Sequence, residues 1–132
     1  MKTSIATVSI AGSLREKLTA ISRAGFDGFE IFENDFLASN FSAKELKSAA
    51  DDLNLSIDLY QPFRDFEGVD ERSLTKNLER ARGKFEVMAD MGVDTILVCS
   101  NVATVVENNS RMFVDHLGKL ANLAGQFGVK VA

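Results

Sequence analysis

The residues with the clearest chemical potential lie in one stretch, Tyr60-Gln61-Pro62-Phe63-Arg64-Asp65-Phe66-Glu67-Gly68. It holds the only proline and an arginine beside acidic neighbours. A guanidinium is a planar fork of donors that fits a carboxylate or phosphate through parallel hydrogen bonds. A plain connector would use small polar turn residues; Phe63 and Phe66 instead indicate a loop that packs onto something. Two readings stand. Arg64 awaits an anionic ligand, or it is a surface residue paired with Asp65 or Glu67.

Other reactive side chains are sparse. His116 falls inside an amphipathic stretch and reads as a solvated helix residue rather than a base. Cys99 sits in an apolar run and reads as core, although a Cys-His pair stays open. One His and one Cys make no zinc-type ligand cluster. Glu30 shares a strand face with Phe32. It is either an edge carboxylate paired with a neighbouring Lys or Arg, or an interior one that holds a basic group or touches substrate, since buried charges need partners. Asn34-Asp35 reads as loop punctuation.

The elements that position these groups repeat one pattern. Ser4 to Ser9 is a first strand, and Ser13-Leu14-Arg15-Glu16 is a capping box opening a helix with Leu14, Leu18 and Ile21 on one face. Gly25 stops it and Gly28 to Glu33 is the second strand. Ser42-Ala43-Lys44-Glu45 caps a second helix bearing Leu46, Ala49 and Leu53, with Asn54 as its stop. Strand three is Ser56 to Tyr60. A third helix aligns Leu74, Leu78, Ala81, Phe85 and Met88 and ends at Gly92; strand four is Thr95 to Cys99. A fourth helix aligns Phe113, Leu117, Leu120, Ala124 and Phe127 and ends at Gly128, and Val129 to Ala132 begins a fifth strand. Strands alternating with amphipathic helices mean β-α-β units and a parallel sheet.

Two architectures use such units. A flavodoxin-like open sheet needs about five strands, and a (β/α)₈ barrel about 250 residues, at least about 200. Length favours the open sheet, but such a chain should finish with a helix after strand five. The first loop, Ser9-Ile10-Ala11-Gly12-Ser13, is too poor in glycine for a phosphate cradle. Strand one lacks a terminal acidic pair, and Asp58 lies mid-strand, so a phosphoacceptor site has little support. In either fold, working residues belong at the C-terminal ends of strands. Those positions are Ser9, Glu30 and Glu33, Gln61 and Arg64, and Ser100 and Asn101.

Composition narrows the function class. The 132 residues suffice for one domain with a core, and 45% hydrophobic with 26% charged residues is ordinary for a globular chain. A net charge of −4 gives no footprint for nucleic acid. A single cysteine excludes an intrachain disulfide and fits a reducing compartment, so a cytoplasmic protein is expected. No apolar run reaches membrane-spanning length.

Four segments carry a family resemblance: Ser4 to Ser9, Ala24 to Asp35, Gln61 to Gly68, and Leu97 to Val102. Together they resemble the N-terminal half of bacterial 3-dehydroshikimate dehydratases. These belong to the sugar phosphate isomerase/epimerase group of xylose-isomerase-like TIM barrels. The Gly-Phe-Asp-Gly-Phe-Glu segment is shared loosely across that group, whereas Gln-Pro-Phe-Arg-Asp-Phe-Glu-Gly and Val-Cys-Ser-Asn are more specific. The resemblance implies that residues 1–132 are the first half of a (β/α)₈ barrel, from β1 to the start of β5, with parallel strands and outer helices. It implies a lyase that uses one divalent cation (Mg, Mn or Co) to dehydrate 3-dehydroshikimate to protocatechuate. Arg64 would then bind a substrate carboxylate or oxyanion, with Gln61, Glu30 and Ser100 in the same pocket.

The resemblance also implies a gap. The family's metal ligands come from strands five to eight, the first a Glu just past the position of Ala132, so no catalytic base or metal ligand is assigned in this chain. It is expected to be part of a longer enzyme and inactive alone. Two other readings remain: a sugar-phosphate or inosose isomerase, epimerase or dehydratase of the same barrel group, and a non-catalytic half-barrel assembly module. A half barrel leaves open edges and an uncovered apolar face, so a homo-oligomer is expected.

Overall fold

The computed structural model describes residues 1–103 and 109–132. Five strands form one parallel sheet in the order β1-β2-β3-β4-β5: Ser4–Ala6, Gly28–Phe32, Ser56–Phe63, Thr95–Val98 and Lys130–Val131. Among the described residues five helices connect them, α1 (Leu14–Arg23), α2 (Glu33–Leu37), α3 (Ala43–Asp52), α4 (Glu71–Met91) and α5 (Ser110–Gln126). Both predicted capping boxes are present, with Ser13 and Ser42 each accepting from the N3 amide while Glu16 and Glu45 reach back. α4 ends on Gly92 at φ 71°, and α3 is followed by Asn54 at φ 55°. Both adopt the left-handed conformation that Gly, and to a lesser degree Asn, accept at helix ends.

Burial has the period of two expected of strands. Phe29 and Ile31 are fully buried while Glu30 and Phe32 between them are half-buried. Phe29, Ile31, Tyr60 and Ile96 join Leu18, Leu46, Phe85, Met88 and Leu120 from the helices in one core. The helices therefore cover one face of the sheet. Glu30, Phe32, Leu59, Gln61 and Leu97 are all half-buried.

Several element boundaries differ from the sequence reading. β1 stops at Ala6, and Thr7–Ser9 form a 3₁₀ turn whose buried Thr7 accepts the Phe32 amide on Oγ1 at 3.0 Å. Asn34 and Asp35 are not loop punctuation but lie in α2, where Asp35 pairs at 2.8 Å with Lys17, an α1 lysine only 6% exposed. β3 runs on past Tyr60 through the cis Gln61–Pro62 bond to Phe63, which is in register with Val98. On α5 the buried set is His116, Leu120, Leu123 and Ala124. Leu117 is exposed, because the helix presents its His116–Leu123 side to the core.

The β2–β3 pairing also shifts register, with Phe29 opposite Ile57 and Glu30 opposite Leu59, leaving Asp58 as the extra residue. Lys2 Nζ and Ser56 Oγ both donate to Asp58 Oδ1 at 2.7 Å. Burial by itself would raise the Asp58 carboxyl, but hydrogen bonds from Lys2, Ser56 and Ser4 outweigh it and hold the pKa below the ordinary value. Gly28 leaves room for this cluster: a Cβ there would collide with the Asp58 carboxylate and stand 2.7 Å from the Ser56 carbonyl. Gly28→Ala is expected to destabilise the chain by about 1–3 kcal/mol, since side chains and strand must move to accept it. Urea unfolding measures this; an unchanged midpoint would show that the sheet yields freely.

Candidate functional site

The candidate site grows from the C-terminal ends of β2, β3 and β4. Phe32 and Gln61 are register partners, which sets Gln61 near the neighbouring strand's Glu30. Gln61 Nε2 donates to Glu30 Oε2 at 2.5 Å. Among the described residues Glu30 is thus neither paired with a Lys or Arg nor left bare; its partner is a neutral amide. The sequence had offered only a cationic neighbour or substrate.

Beyond Phe63 the chain enters the arginine loop. Phe63 and Phe66, both fully buried, pack with ring centroids 5.5 Å apart and anchor the loop at two points. Asp65 between them has φ 58°, a left-handed conformation uncommon for a side-chain-bearing residue and tolerated best by Asn and Asp. Arg64 is exposed. Among the described residues its guanidinium has no ion pair or hydrogen bond, and its carbonyl accepts from Arg80 Nη2 at 3.5 Å. The predicted surface pairing with Asp65 or Glu67 does not occur. Glu67 has turned inward, 6% exposed, and accepts the Asn101 amide on Oε1 at 2.6 Å.

Ser100 is exposed, with no side-chain hydrogen bond among the described residues. Its neighbour Asn101 donates Nδ2 to the Glu67 carbonyl at 2.8 Å. The structure therefore brings Glu30 and Gln61 into direct contact, and connects the segments of Arg64 and Ser100 through Glu67 and Asn101. Among the described residues, no hydrogen bond or ion pair joins Arg64 to Ser100 or to Gln61. A cleft lined by Arg15, Asp35, Phe41 and Asp52 lies elsewhere and contains none of the four.

Sequence reasoning missed the groups that hold the loop. Asn77 Nδ2 donates to the carbonyls of Asp65 and Phe66 at 2.9 and 3.0 Å. His116 is not solvated but 3% exposed, and its Nδ1 accepts the Gly68 amide at 3.2 Å. A neutral ring so engaged carries its proton on Nε2. The helical period placed His116 next to Leu117 and Leu120, but it could not tell which side of α5 would face the loop.

A second polar cluster lies behind the site. Tyr60 Oη donates to Glu33 Oε1 at 2.9 Å, and Lys84 Nζ contacts the same oxygen. Arg80 stands over the Phe63 ring, 5.2 Å from its centroid, and Lys84 is 5.4 Å from it. Among the described residues, no group of three or more His, Cys, Asp or Glu could hold a metal ion, and no helix is long and apolar enough to cross a membrane.

A parallel sheet with helices on one face and polar groups gathered at its strand ends defines half of a β/α barrel. Residues 18–132 match the xylose isomerase-like TIM barrel family model, and the chain belongs to that family. It is 48% identical over 131 residues to the 3-dehydroshikimate dehydratase of Pseudomonas putida, covering 99% of this chain and 21% of that protein. The solved structure of a xylose isomerase-like TIM barrel/4-hydroxyphenylpyruvate dioxygenase fusion protein matches with a TM-score of 0.97 at 48% identity. That match covers 99% of this chain and 21% of the fusion. The IOLI protein, crystallised with a bound zinc atom, matches with a TM-score of 0.84 at 20% identity, over 100% of this chain and 50% of that one. The last likeness concerns the fold alone. The chain spans about a fifth of the length of the curated relatives it matches.

Tyr60 gives the site region a direct optical test. Burial first, then the Glu33 charge and hydrogen bond, push its phenol far above the ordinary value of about 10. The unfolded chain ionises Tyr60 near that value and the folded chain does not. Its contribution to stability is therefore full below about pH 10 and falls as the pH rises further. Tyr60 is the only tyrosine and there is no tryptophan. Phenolate absorbance of the 132-residue chain should thus appear only together with loss of helical circular dichroism. Reversible ionisation near pH 10 with the helices intact would show that Tyr60 is neither buried nor held by Glu33.

Proposed function

We propose that the protein carrying this chain is a lyase that dehydrates 3-dehydroshikimate to protocatechuate. The observation that carries the reading is the 48% identity across 99% of the chain to a dehydratase of that name. The exposed guanidinium of Arg64 supports it. It stands beyond the end of a strand with its donors uncommitted among the described residues, as binding of a carboxylate-bearing small molecule requires. In this reading Arg64 takes the substrate carboxylate in a bidentate grip. Gln61, fixed by Glu30, presents its remaining amide hydrogen and carbonyl to the substrate's oxygens, and Ser100 offers a hydroxyl from the next loop.

The family resemblance brings a divalent cation, Mg, Mn or Co, into this reaction. The described residues do not fit it: Glu30 is joined by an amide, not by further carboxylates or imidazoles, and no three-ligand group exists among them. The part of this chain in the reaction is to bind and orient substrate. The 132-residue chain is accordingly proposed to be inactive alone and, with Phe32, Leu59 and Leu97 half-buried, to associate with further copies.

Two measurements test these statements. In the full-length protein, Arg64→Ala should raise KM for 3-dehydroshikimate by about tenfold or more, the scale of a lost charge-assisted hydrogen bond of roughly 1.5–3 kcal/mol. Turnover of ketose or inosose substrates with none of 3-dehydroshikimate would replace the reading with an isomerase or epimerase. Light scattering of the 132-residue chain should give a mass above the 14.4 kDa of one copy. A stable monomer at that mass would overturn the association.

A further inference from the structure

We infer that Glu67 is a positioning residue, a latch that sets where Arg64 and Ser100 stand relative to one another; the inference rests on the substrate-binding reading of Arg64. Glu67 lies three residues after Arg64, and Asn101 lies one after Ser100. Two hydrogen bonds join them, both donated by Asn101: its amide to Glu67 Oε1 at 2.6 Å, and its Nδ2 to the Glu67 carbonyl at 2.8 Å. A pair of bonds from side chain and main chain fixes orientation as well as distance, which one bond would leave free. Asn101 is itself held, since its Oδ1 accepts the Ala103 amide at 3.0 Å.

The loop on the Glu67 side is braced from two further elements, by Asn77 of α4 on Asp65 and Phe66 and by His116 of α5 on Gly68. Among the described residues, neither brace hydrogen-bonds to the segment after β4. The side chains of Glu67 and Asn101 make, among the described residues, the side-chain hydrogen bonds that cross between the Arg64 loop and the segment of Ser100, beside a backbone bond from the Cys99 amide to the Phe63 carbonyl at 2.9 Å. The burial of Glu67 is costly, because Oε2 is shut from solvent and has no hydrogen-bond partner among the described residues. A carboxylate in that state adds little to stability that a neutral group could not supply. Its value lies in its reach. The side chain spans the gap between two strand-end loops, and the acceptor Oε1, not the charge, makes the side chain's part of the join.

The experiment separates reach from charge in the full-length protein. Glu67→Gln keeps the length and the acceptor and removes the charge. Glu67→Asp keeps the charge and loses one methylene of reach. The latch predicts that E67D raises KM for 3-dehydroshikimate by about tenfold, on the scale of one lost hydrogen bond to a charged group. In the same assay kcat should fall much less, and E67Q should recover most of the loss. The Asn101 amide, followed by hydrogen exchange, should lose protection in E67D and keep it in E67Q, while the Gly68 amide stays protected in both. The reverse order, with E67D retained and E67Q impaired, would show that charge matters and overturn the latch. Equal losses in both variants, tracking a drop in melting temperature, would reduce Glu67 to a stability residue and also overturn it. If Arg64→Ala leaves KM unchanged, the positioning role falls with the Arg64 reading. Asn101 exchange would then still report whether the two loops are joined.

Discussion

Everything in this chain depends on the sheet being parallel and covered on one face. A parallel neighbour can be reached only by a crossover, so each strand is followed by a segment that returns over the sheet, and a helix is the economical return. The helices need an apolar stripe to bury, and the strands supply its counterpart in Phe29, Ile31, Tyr60 and Ile96. Because side chains alternate, residues between these cannot join that core, and Glu30, Phe32, Gln61 and Leu97 remain half-buried. Parallel pairing also places every strand's C-terminal end on the same side of the sheet. The gathering of Gln61, Arg64 and Ser100 there follows from the same constraint.

The strand ends are shaped less by hydrophobic burial than by satisfied polar groups. A loop entering the core brings carbonyls and amides that must find partners. The loop from Arg64 to Gly68 does so through Asn77, Asn101 and His116, all outside the loop. Phe63 and Phe66 supply the apolar anchors. With both kinds of constraint acting, the backbone can hold Asp65 in a left-handed conformation and leave Arg64 projecting without a protein partner among the described residues. That arrangement suits a residue kept for something outside the chain.

Local chemistry made much of this legible. Ser13 with Glu16 and Ser42 with Glu45 fix their helix starts by bonds within four residues, and Asn54 and Gly92 mark helix ends by a conformation their own backbones favour. Other features depend on neighbours far along the chain. β3 extends to Phe63 because Val98 is there to pair with it, and Thr7 leaves the strand to receive the amide of Phe32. Asp35 looked like loop punctuation because its partner, Lys17, lies a full helix away. On α5 the apolar residues define a broad face, but the rotation that buries His116 and exposes Leu117 is decided by what the loop at Gly68 requires.

The sequence by itself determined the alternation of strands and helices, their caps and stops, and the candidate positions at the strand ends, because these rest on periodicity and on bonds between near neighbours. Tertiary structure alone decided that Glu30 takes Gln61 as its partner, that Arg64 stays free of Asp65 and Glu67 while Glu67 turns inward to Asn101, and that His116 is a buried acceptor. The physical reason is desolvation. Which polar group must find a partner, and which is left facing water, is settled only when packing has chosen the surfaces that water can reach.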